Sequence, residues 1–302
     1  MGFVLVIAAA LFFPGIIIRV KSLLSGRKGP GIMQPWRNIL LLLRKGNVIS
    51  TTTSYIFRLA PTIYLCTILC AILLLPFPGV PSLLGFEGDF VLFAYMLALG
   101  KFLFIISAMD TGSSFEGMGA SREALYSMLA EPAFFILFGT LALLTGFSSM
   151  QPIFDSFQFA GHNSFILGFI AVYLLIQIAM IENSRMPIDD PKTHLELTMI
   201  HEVMILDHSG FDLALIHIGT ALKFSMYGLL IANFLIPPQF PLIIRILLFF
   251  VVQVTMAVLI GLMESFRARK KLAKNPQFIV TLSSIGLVAF ILVLLITFKM
   301  IG

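Results

Sequence analysis

Eight apolar stretches, each long enough to cross roughly 30 Å of hydrocarbon, dominate the sequence and leave room for little else. They fall at about 1–18, 56–76, 90–109, 132–150, 164–181, 213–236, 243–262 and 278–301. Composition agrees: 59% of the 302 residues are hydrophobic and 12% are charged, whereas a soluble domain carries about 25% charged residues. A water-soluble enzyme cannot cover its surface with so few charges, and the same numbers exclude a disordered chain and a solenoid. The expected fold is all-α, a polytopic membrane protein with about eight transmembrane helices in a single integral membrane domain over 1–302. The first stretch has no basic residue ahead of it, and cations follow it instead, so it reads as a retained helix rather than a signal peptide. Pro14 kinks that helix without forbidding it. With thirty Phe and one Trp, a double Trp belt is absent. Two cysteines, Cys66 and Cys70, cannot hold an iron–sulfur cluster and read as packing residues.

Charge placement sets the orientation. The segment after the first stretch carries Arg19, Lys21, Arg27, Lys28, Arg37, Arg44, Lys45 and Arg58 and no acid. The loop after the seventh carries Arg267, Arg269, Lys270, Lys271 and Lys274, while the loops at 77–89, 151–163 and 237–242 have no Lys or Arg. The positive-inside rule then makes the odd-to-even loops cytoplasmic and puts both termini on the outer side, as eight crossings require. The cytoplasmic loops hold twelve of the fifteen acids. The working face is therefore expected to be cytoplasmic, and the acids there suit protein contact or proton handling. The bilayer is one expected partner, and nucleic acid is not.

Three cytoplasmic segments and two lysines carry the chemistry. After the first stretch, the turn around Gly29 and Pro30 leads into an apolar run from Pro35 to Lys45. It is too short to span and suits an in-plane amphipathic helix over about 35–45, anchored by Trp36. After the third, a Gly/Ser-rich loop runs from Asp110, with Ser121 placed to cap a helix starting near Arg122 and running into the fourth stretch past Glu131. A carboxylate at the mouth of a span meets either solvent or a partner. Lys101 and Lys223 lie near mid-membrane, where a bare lysine costs at least ~2.5 kcal/mol. They point to a polar path inward, or to an ion pair between helices. Tyr173 and Gln177 share a face of the fifth stretch, which ends at Glu182. Arg245 and Lys299 read as residues near the outer surface.

The acidic loop after the fifth stretch, about 182–212, is the densest. It holds Glu182, Arg185, Asp189, Asp190, His194, Glu196, His201, Glu202 and Asp207. Asp190 or Thr193 is placed to cap a helix over about 194–206, and Arg185 can pair with Glu182 or with Asp189. His194, His201 and His208 recur every seven residues, which puts them on one helical face. Seven residues rise about 10.5 Å, so they cannot meet at one ion, and Ile205 stands where a zincin needs its second histidine. These residues, with Glu131, Lys101 and Lys223, form a candidate proton or coupling path, the acids entering the membrane at Glu182. No catalytic constellation is complete.

These motifs, in this order, resemble the membrane subunit of respiratory complex I that docks the peripheral arm and forms much of the quinone cavity. The match in the acidic loop is at Glu182, Arg185, Pro187, Asp189, Glu196 and Leu197. Lys192 and His194 depart from the family's acids. The chain is more similar to the homologous subunit of membrane-bound group 4 nickel–iron hydrogenases and formate hydrogenlyase. That resemblance rests on Arg27-Lys28-Gly29-Pro30-Gly31-Ile32, on Asp110-Thr111-Gly112-Ser113 with Gly119-Ala120-Ser121-Arg122-Glu123, on Glu131-Pro132, and on the run from Pro187 through His194 to Glu202. It covers about residues 20 to 225.

The resemblance implies a non-catalytic, membrane-anchoring and energy-coupling subunit of an oxidoreductase complex in the cytoplasmic (inner) membrane of a prokaryote. It implies docking of a hydrogenase-like large subunit and a small iron–sulfur subunit, through Arg27, Lys28, Gly29, Pro30, Gln34 and Arg122. It also implies a link to antiporter-like membrane subunits that move protons or sodium ions. The nickel–iron centre and 4Fe-4S clusters would sit on those partners, this chain binding none. The alternative is a quinone-site subunit of a complex I-like NADH or ferredoxin dehydrogenase, with quinone a possible ligand. A stand-alone ion-coupled transporter would show activity when expressed alone. An intramembrane enzyme acting on lipid lacks its residues.

Overall fold

The computed structural model describes residues 1–157, 162–189, 199–267 and 272–298. Asp190, His194 and Glu196, together with Arg269, Lys270, Lys271 and Lys299, lie outside the described residues. Within them the chain is helical, apart from one antiparallel bridge between Phe77 and Val80. Its helices are α1 (Gly2–Leu24), α2 (Gln34–Leu43), α3 (Tyr55–Leu74), α4 (Asp89–Asp110), α5 (Ser114–Thr145), α6 (Met150–Ser156), α7 (His162–Glu182), α8 (His201–Met204), α9 (Gly210–Leu235), α10 (Leu242–Phe266) and α11 (Asn275–Thr297). Seven are long and apolar enough to cross a membrane: α1, α3, α4, α5, α9, α10 and α11, the last reckoned over Leu272–Thr297. The remaining long helix, α7, has 21 residues, a rise of about 31 Å, of which Ile166–Glu182 is the described apolar part.

α9 is the centre of the bundle. Of its most apolar segment 83% is buried, against 28–44% for the other six. It packs on α1, α2, α3, α7 and α10, while α3 pairs with α4 and α5 with α11. Lipid tails are as apolar as leucine, so helices associate through close packing rather than through the hydrophobic effect. Gly219 of α9 shows this: a Cβ there would sit 2.6 Å from the Tyr64 ring, so only glycine admits that ring against α9. The many phenylalanines fill the core in chains. Phe134, Phe138, Phe154 and Phe234 succeed one another with centroids 4.6, 6.3 and 5.0 Å apart.

The short helix expected at 35–45 is α2, and its tryptophan anchors the protein to itself. Pro14 has no N–H, so the Ala10 carbonyl one turn earlier in α1 loses its helical donor. Trp36 Nε1 donates to that carbonyl at 3.3 Å.

Three expectations are corrected. The Gly/Ser stretch read as a loop up to Ser121 is the start of α5, which begins at Ser114. Local propensity is overridden there by tertiary fit, because Gly119 lies under the Ile200 backbone, where a Cβ would meet the carbonyl oxygen at 2.8 Å. Buried Glu116 also accepts the Asp207 N–H at 3.2 Å. The helix expected over 194–206 is, within the described residues, the single turn α8. Its cap is Asp189, whose Oδ2 accepts from the N–H groups of Ile200 and His201 at 3.2 and 3.1 Å. Cys66 and Cys70 are exposed on α3 and do not pack into the core.

Candidate functional site: a row of buried charges

α7 stops at Glu182, and the chain then turns inside the bundle. Asn183 Nδ2 donates back to the Ala179 carbonyl at 2.8 Å. Ser184 takes the left-handed conformation, φ 47°, and the backbone runs on with Asn183, Ser184, Met186, Ile188 and Asp189 all buried. Irregular backbone at membrane depth is tolerated only where protein surrounds it. By helical rise, Lys101 lies about 14 Å from the end of α4 and Lys223 about 20 Å from the start of α9. Both nevertheless reach Glu182, so α7 ends well inside the bundle.

Glu182 is the hub. Its Oε1 lies 3.0 Å from Lys101 Nζ, and its Oε2 lies 3.2 Å from Lys223 Nζ. Lys223 also donates to the Glu182 carbonyl at 3.3 Å and stands 5.4 Å over the Tyr64 ring that Gly219 admits. Lys101 takes a second carboxylate, Glu123 Oε1 of α5, at 3.0 Å. Ser184 Oγ donates to Glu123 Oε2 at 3.2 Å. Two lysines and two glutamates from α4, α5, α7 and α9 thus form a balanced, buried row. Each charge answers the desolvation of the next.

A second group continues it. Arg185, three residues past Glu182, pairs with neither Glu182 nor Asp189 as the sequence suggested. It reaches Glu264 Oε1 of α10 at 3.3 Å, and its guanidinium lies 5.2 Å over the Phe224 ring, next to Lys223. Glu264 Oε2 holds Lys21 of α1 at 2.8 Å. The charged groups therefore step across the bundle from α5 to α1.

Two flanking features touch this row. A cavity of about 280 Å³ is lined by Lys101, Glu131, Glu182 and Tyr227 among aromatic residues, with Glu131 exposed on α5 at its mouth. Beside the row, Phe104 of α4 stands between His201 and His208, centroids 5.6 and 6.2 Å away. His208 stacks on Phe57 at 4.0 Å, with Nε2 3.2 Å from Ser107 Oγ. The heptad spacing thus brings both histidines to one phenylalanine, through a turn and a loop rather than a helical face. Burial pushes both imidazoles down to about 4, for His201 against the opposing pull of Glu123, so both are neutral near pH 7.

The other residues singled out in the sequence serve nearby. Arg122 donates to the Met199 carbonyl at 3.1 Å, beside the Asp189 cap, so the two clasp the returning chain. Asp207 is exposed and Glu202 half-buried. Gln34 donates to Asn38 on α2 at 3.0 Å. Arg27 and Lys28 are exposed beside Gly29, whose carbonyl accepts from Arg19 at 3.0 Å. Gln177 is fully buried with no partner for either amide atom. Glu123, Glu264 and Lys21 were missed as site residues. Glu264, a lone acid at the end of an apolar run, carried the same signal that singled out Lys101. Among the described residues, no group of three His, Cys, Asp or Glu can hold a metal ion.

Residues 1–296 match the family model described as NADH dehydrogenase. The chain is 33% identical over 224 residues to Hydrogenase-4 component C of Escherichia coli (strain K12), covering 74% of this chain and 70% of that one. It is 30% identical over 216 residues to Formate hydrogenlyase subunit 4 of the same organism, covering 72% and 69%. It is also 30% identical over 200 residues to a subunit of the NADH-quinone oxidoreductase of Solibacter usitatus (strain Ellin6076), covering 63% and 49%. Its fold matches that of a chain in the membrane-bound sulfane sulfur reductase, an archaeal respiratory membrane complex. The TM-score is 0.82 at 19% identity, over 96% of both chains. With the family model over residues 1–296 and these relatives in agreement, the chain belongs to the NADH dehydrogenase family and is a complex I-like membrane subunit.

Proposed function

We propose that this chain anchors and couples a hydrogenase-type complex. It docks a hydrogenase-like large subunit and a small iron–sulfur subunit on its cytoplasmic face and passes their redox energy to antiporter-like membrane subunits that move protons or sodium ions. The host would be the cytoplasmic membrane of a prokaryote, with both termini outside. The observation that carries this reading is the buried row Glu123–Lys101–Glu182–Lys223. Buried ionisable residues are costly in a membrane and by default mark ion or proton paths. Glu182 ends α7 and Glu123 lies in the first third of α5, while Lys101 and Lys223 lie near the middles of α4 and α9. If the helices alternate, the row runs inward from the face that the basic loops mark as cytoplasmic.

The row lends itself to switching. Protonation of Glu182 would leave Lys101 on Glu123 and Lys223 on a backbone carbonyl, so one proton changes the charge balance of four helices. Asp189 and Arg122 clasp the acidic loop to α5 and α8, so movement of that loop by a docked partner would reach Glu182 through seven residues of buried chain. Asp190, His194, Glu196, His201, Glu202 and Asp207 are further members of the proposed path, as is Glu131. Arg27, Lys28, Gly29, Pro30 and Gln34 belong to the docking surface. The relation to Hydrogenase-4 component C and Formate hydrogenlyase subunit 4 supports the hydrogenase side over a quinone-reducing one.

The test is purification in mild detergent, with identification of co-purifying subunits and metal analysis. Nickel and iron on co-purifying cytoplasmic subunits are expected. A nickel-free complex that reduces quinone would replace the reading with the dehydrogenase alternative. Ion transport by the chain alone would replace it with a transporter.

A further inference from the structure

The segment after α2, residues 46–54, joins the two helices that carry the lysines of the buried row. At one end it exchanges caps with α9. Ser209, the N-cap residue of α9, gives its own helix no side-chain hydrogen bond. Its Oγ instead accepts from the Val48 N–H at 2.8 Å and donates to the Val48 carbonyl at 3.1 Å. The first N–H groups of a helix lack partners inside it, and here they are met from the other segment. Asn47 Oδ1 accepts from the N–H groups of Phe211 and Asp212 at 2.7 and 3.4 Å. Gly210, at φ 50°, lies so close to the Gly46 carbonyl that a Cβ would strike it. At its other end the segment is pinned to the end of α4. Asp110 Oδ2 accepts from both the N–H and the Oγ of Ser54, at 2.7 and 2.8 Å, and Thr52 Oγ1 donates to the Thr111 carbonyl at 3.4 Å.

Between these pins the hydroxyl groups bond one another. Ser50 Oγ lies 2.8 Å from Thr52 Oγ1, and Thr53 Oγ1 donates to the Ser50 carbonyl at 2.9 Å. The turn they close takes up the slack, so the connection is short and stiff rather than a loose loop. α4 carries Lys101 and α9 carries Lys223, and the two lysines share Glu182. One carboxylate holds two ammonium groups only while the helices behind them keep one separation. Both helices pack on α3, whose N-cap, Ser54, is the last residue of the segment. We propose that residues 46–54 are a tether that sets the separation of α4 and α9 and so keeps Lys101 and Lys223 together on Glu182. Asn47, Ser54 and Asp110 are its positioning residues. The consequence for ion movement rests on the coupling role of the row; the tether itself rests on the geometry alone.

The experiment uses the full chain with Cys66→Ser and Cys70→Ser, both positions being exposed. Spin labels are placed at Met109→Cys of α4 and Phe211→Cys of α9, also exposed, and dipolar electron spin resonance reads their separation. A control pair at Leu247→Cys of α10 and Val288→Cys of α11 reports on helices the tether does not touch. The parent chain should give one narrow distance distribution for each pair. Asn47→Ala and Asp110→Ala, which each release one pin, should widen the α4–α9 distribution and leave the control unchanged. Ser54→Thr, which keeps both donors, should behave as the parent. Two glycines inserted after Thr51 keep both pins but slacken the tether, a change that surface loops tolerate. This insertion should widen the α4–α9 distribution as the pin variants do, an effect that caps with a purely local role would not produce. An unchanged α4–α9 distribution in the insertion variant overturns the proposal, as does equal widening of the control pair. In the assembled complex the insertion should lower redox-driven ion uptake by vesicles. Widening with undiminished uptake would support the tether and count against the coupling role of the row.

Discussion

Glu182→Gln keeps the size of the hub and removes its charge, and the structure says where the damage falls. Lys101 loses one carboxylate but keeps Glu123 at 3.0 Å. Lys223, 1% exposed, loses its only ion-pair partner among the described residues. It is left with a backbone carbonyl and the Tyr64 face. Removing one member of a buried pair costs about 3–5 kcal/mol, because the other charge stays buried and uncompensated. Lys223→Met alone leaves Glu182 and Glu123 sharing Lys101, and so costs a similar amount. The double variant Glu182→Gln/Lys223→Met leaves the neutral Lys101–Glu123 pair and should cost less than either single change. The expected coupling energy is therefore at least about 3 kcal/mol. The assay is denaturant unfolding of the purified chain in fixed detergent micelles for all four proteins. Additivity within about 0.5 kcal/mol would refute the hub and reduce these contacts to independent ones. The same cycle separates folding from function, since the double variant should assemble and still fail to move ions.

Further outcomes follow from other residues. Glu131→Gln, at an exposed position, should shift stability by no more than about 0.5 kcal/mol. It should still lower redox-driven ion uptake by vesicles; unchanged uptake would remove Glu131 from the path. Trp36→Phe leaves the Ala10 carbonyl without a donor and should cost about 1–3 kcal/mol, read as a lower unfolding midpoint in detergent; Pro14→Ala in the same background should recover part of it. His201 and His208 are held down to about 4 by burial, below about 6.5 in the unfolded chain. The unfolded state therefore binds more protons between those values, and stability is present above pH 6.5 and lost as pH falls toward 4. Each histidine should cost about 2 kcal/mol between pH 7 and 5, seen as faster hydrogen exchange over 199–209 at pH 5. Exchange that does not respond to pH beyond its chemical rate would show that neither histidine is held neutral.

Much of the architecture was legible because a bilayer imposes one simple demand, a long apolar run per crossing. Lys101, Lys223 and Glu182 were legible for the same reason, since a charge inside or at the end of such a run stands out. Pairing was not legible. Arg185 and Glu264 are 79 residues apart, and nothing local says that they meet. Local chemistry even pointed Arg185 at Glu182 and Asp189, but the left-handed turn at Ser184 separates their directions. Glu264 was lost to a boundary drawn at residue 262, two residues short of it. The start of α5 was misread because Gly and Ser argue for a loop, whereas the buried contacts of Glu116 and Gly119 with the 200–207 segment favour helix. The fold of the acidic loop was not legible from its charge: Asp189, read as a partner for Arg185, is buried and gives its carboxylate to the backbone N–H groups of Ile200 and His201.

The decisive measurement is redox-driven ion uptake by membrane vesicles carrying Lys101→Met/Glu123→Gln. This pair of changes removes one cation and one anion together and leaves Glu182 on Lys223. The complex should assemble and keep its electron-transfer rate in detergent, while vesicle ion uptake falls to background. Assembly with undiminished uptake would contradict a coupling role for the buried row and leave it a structural brace.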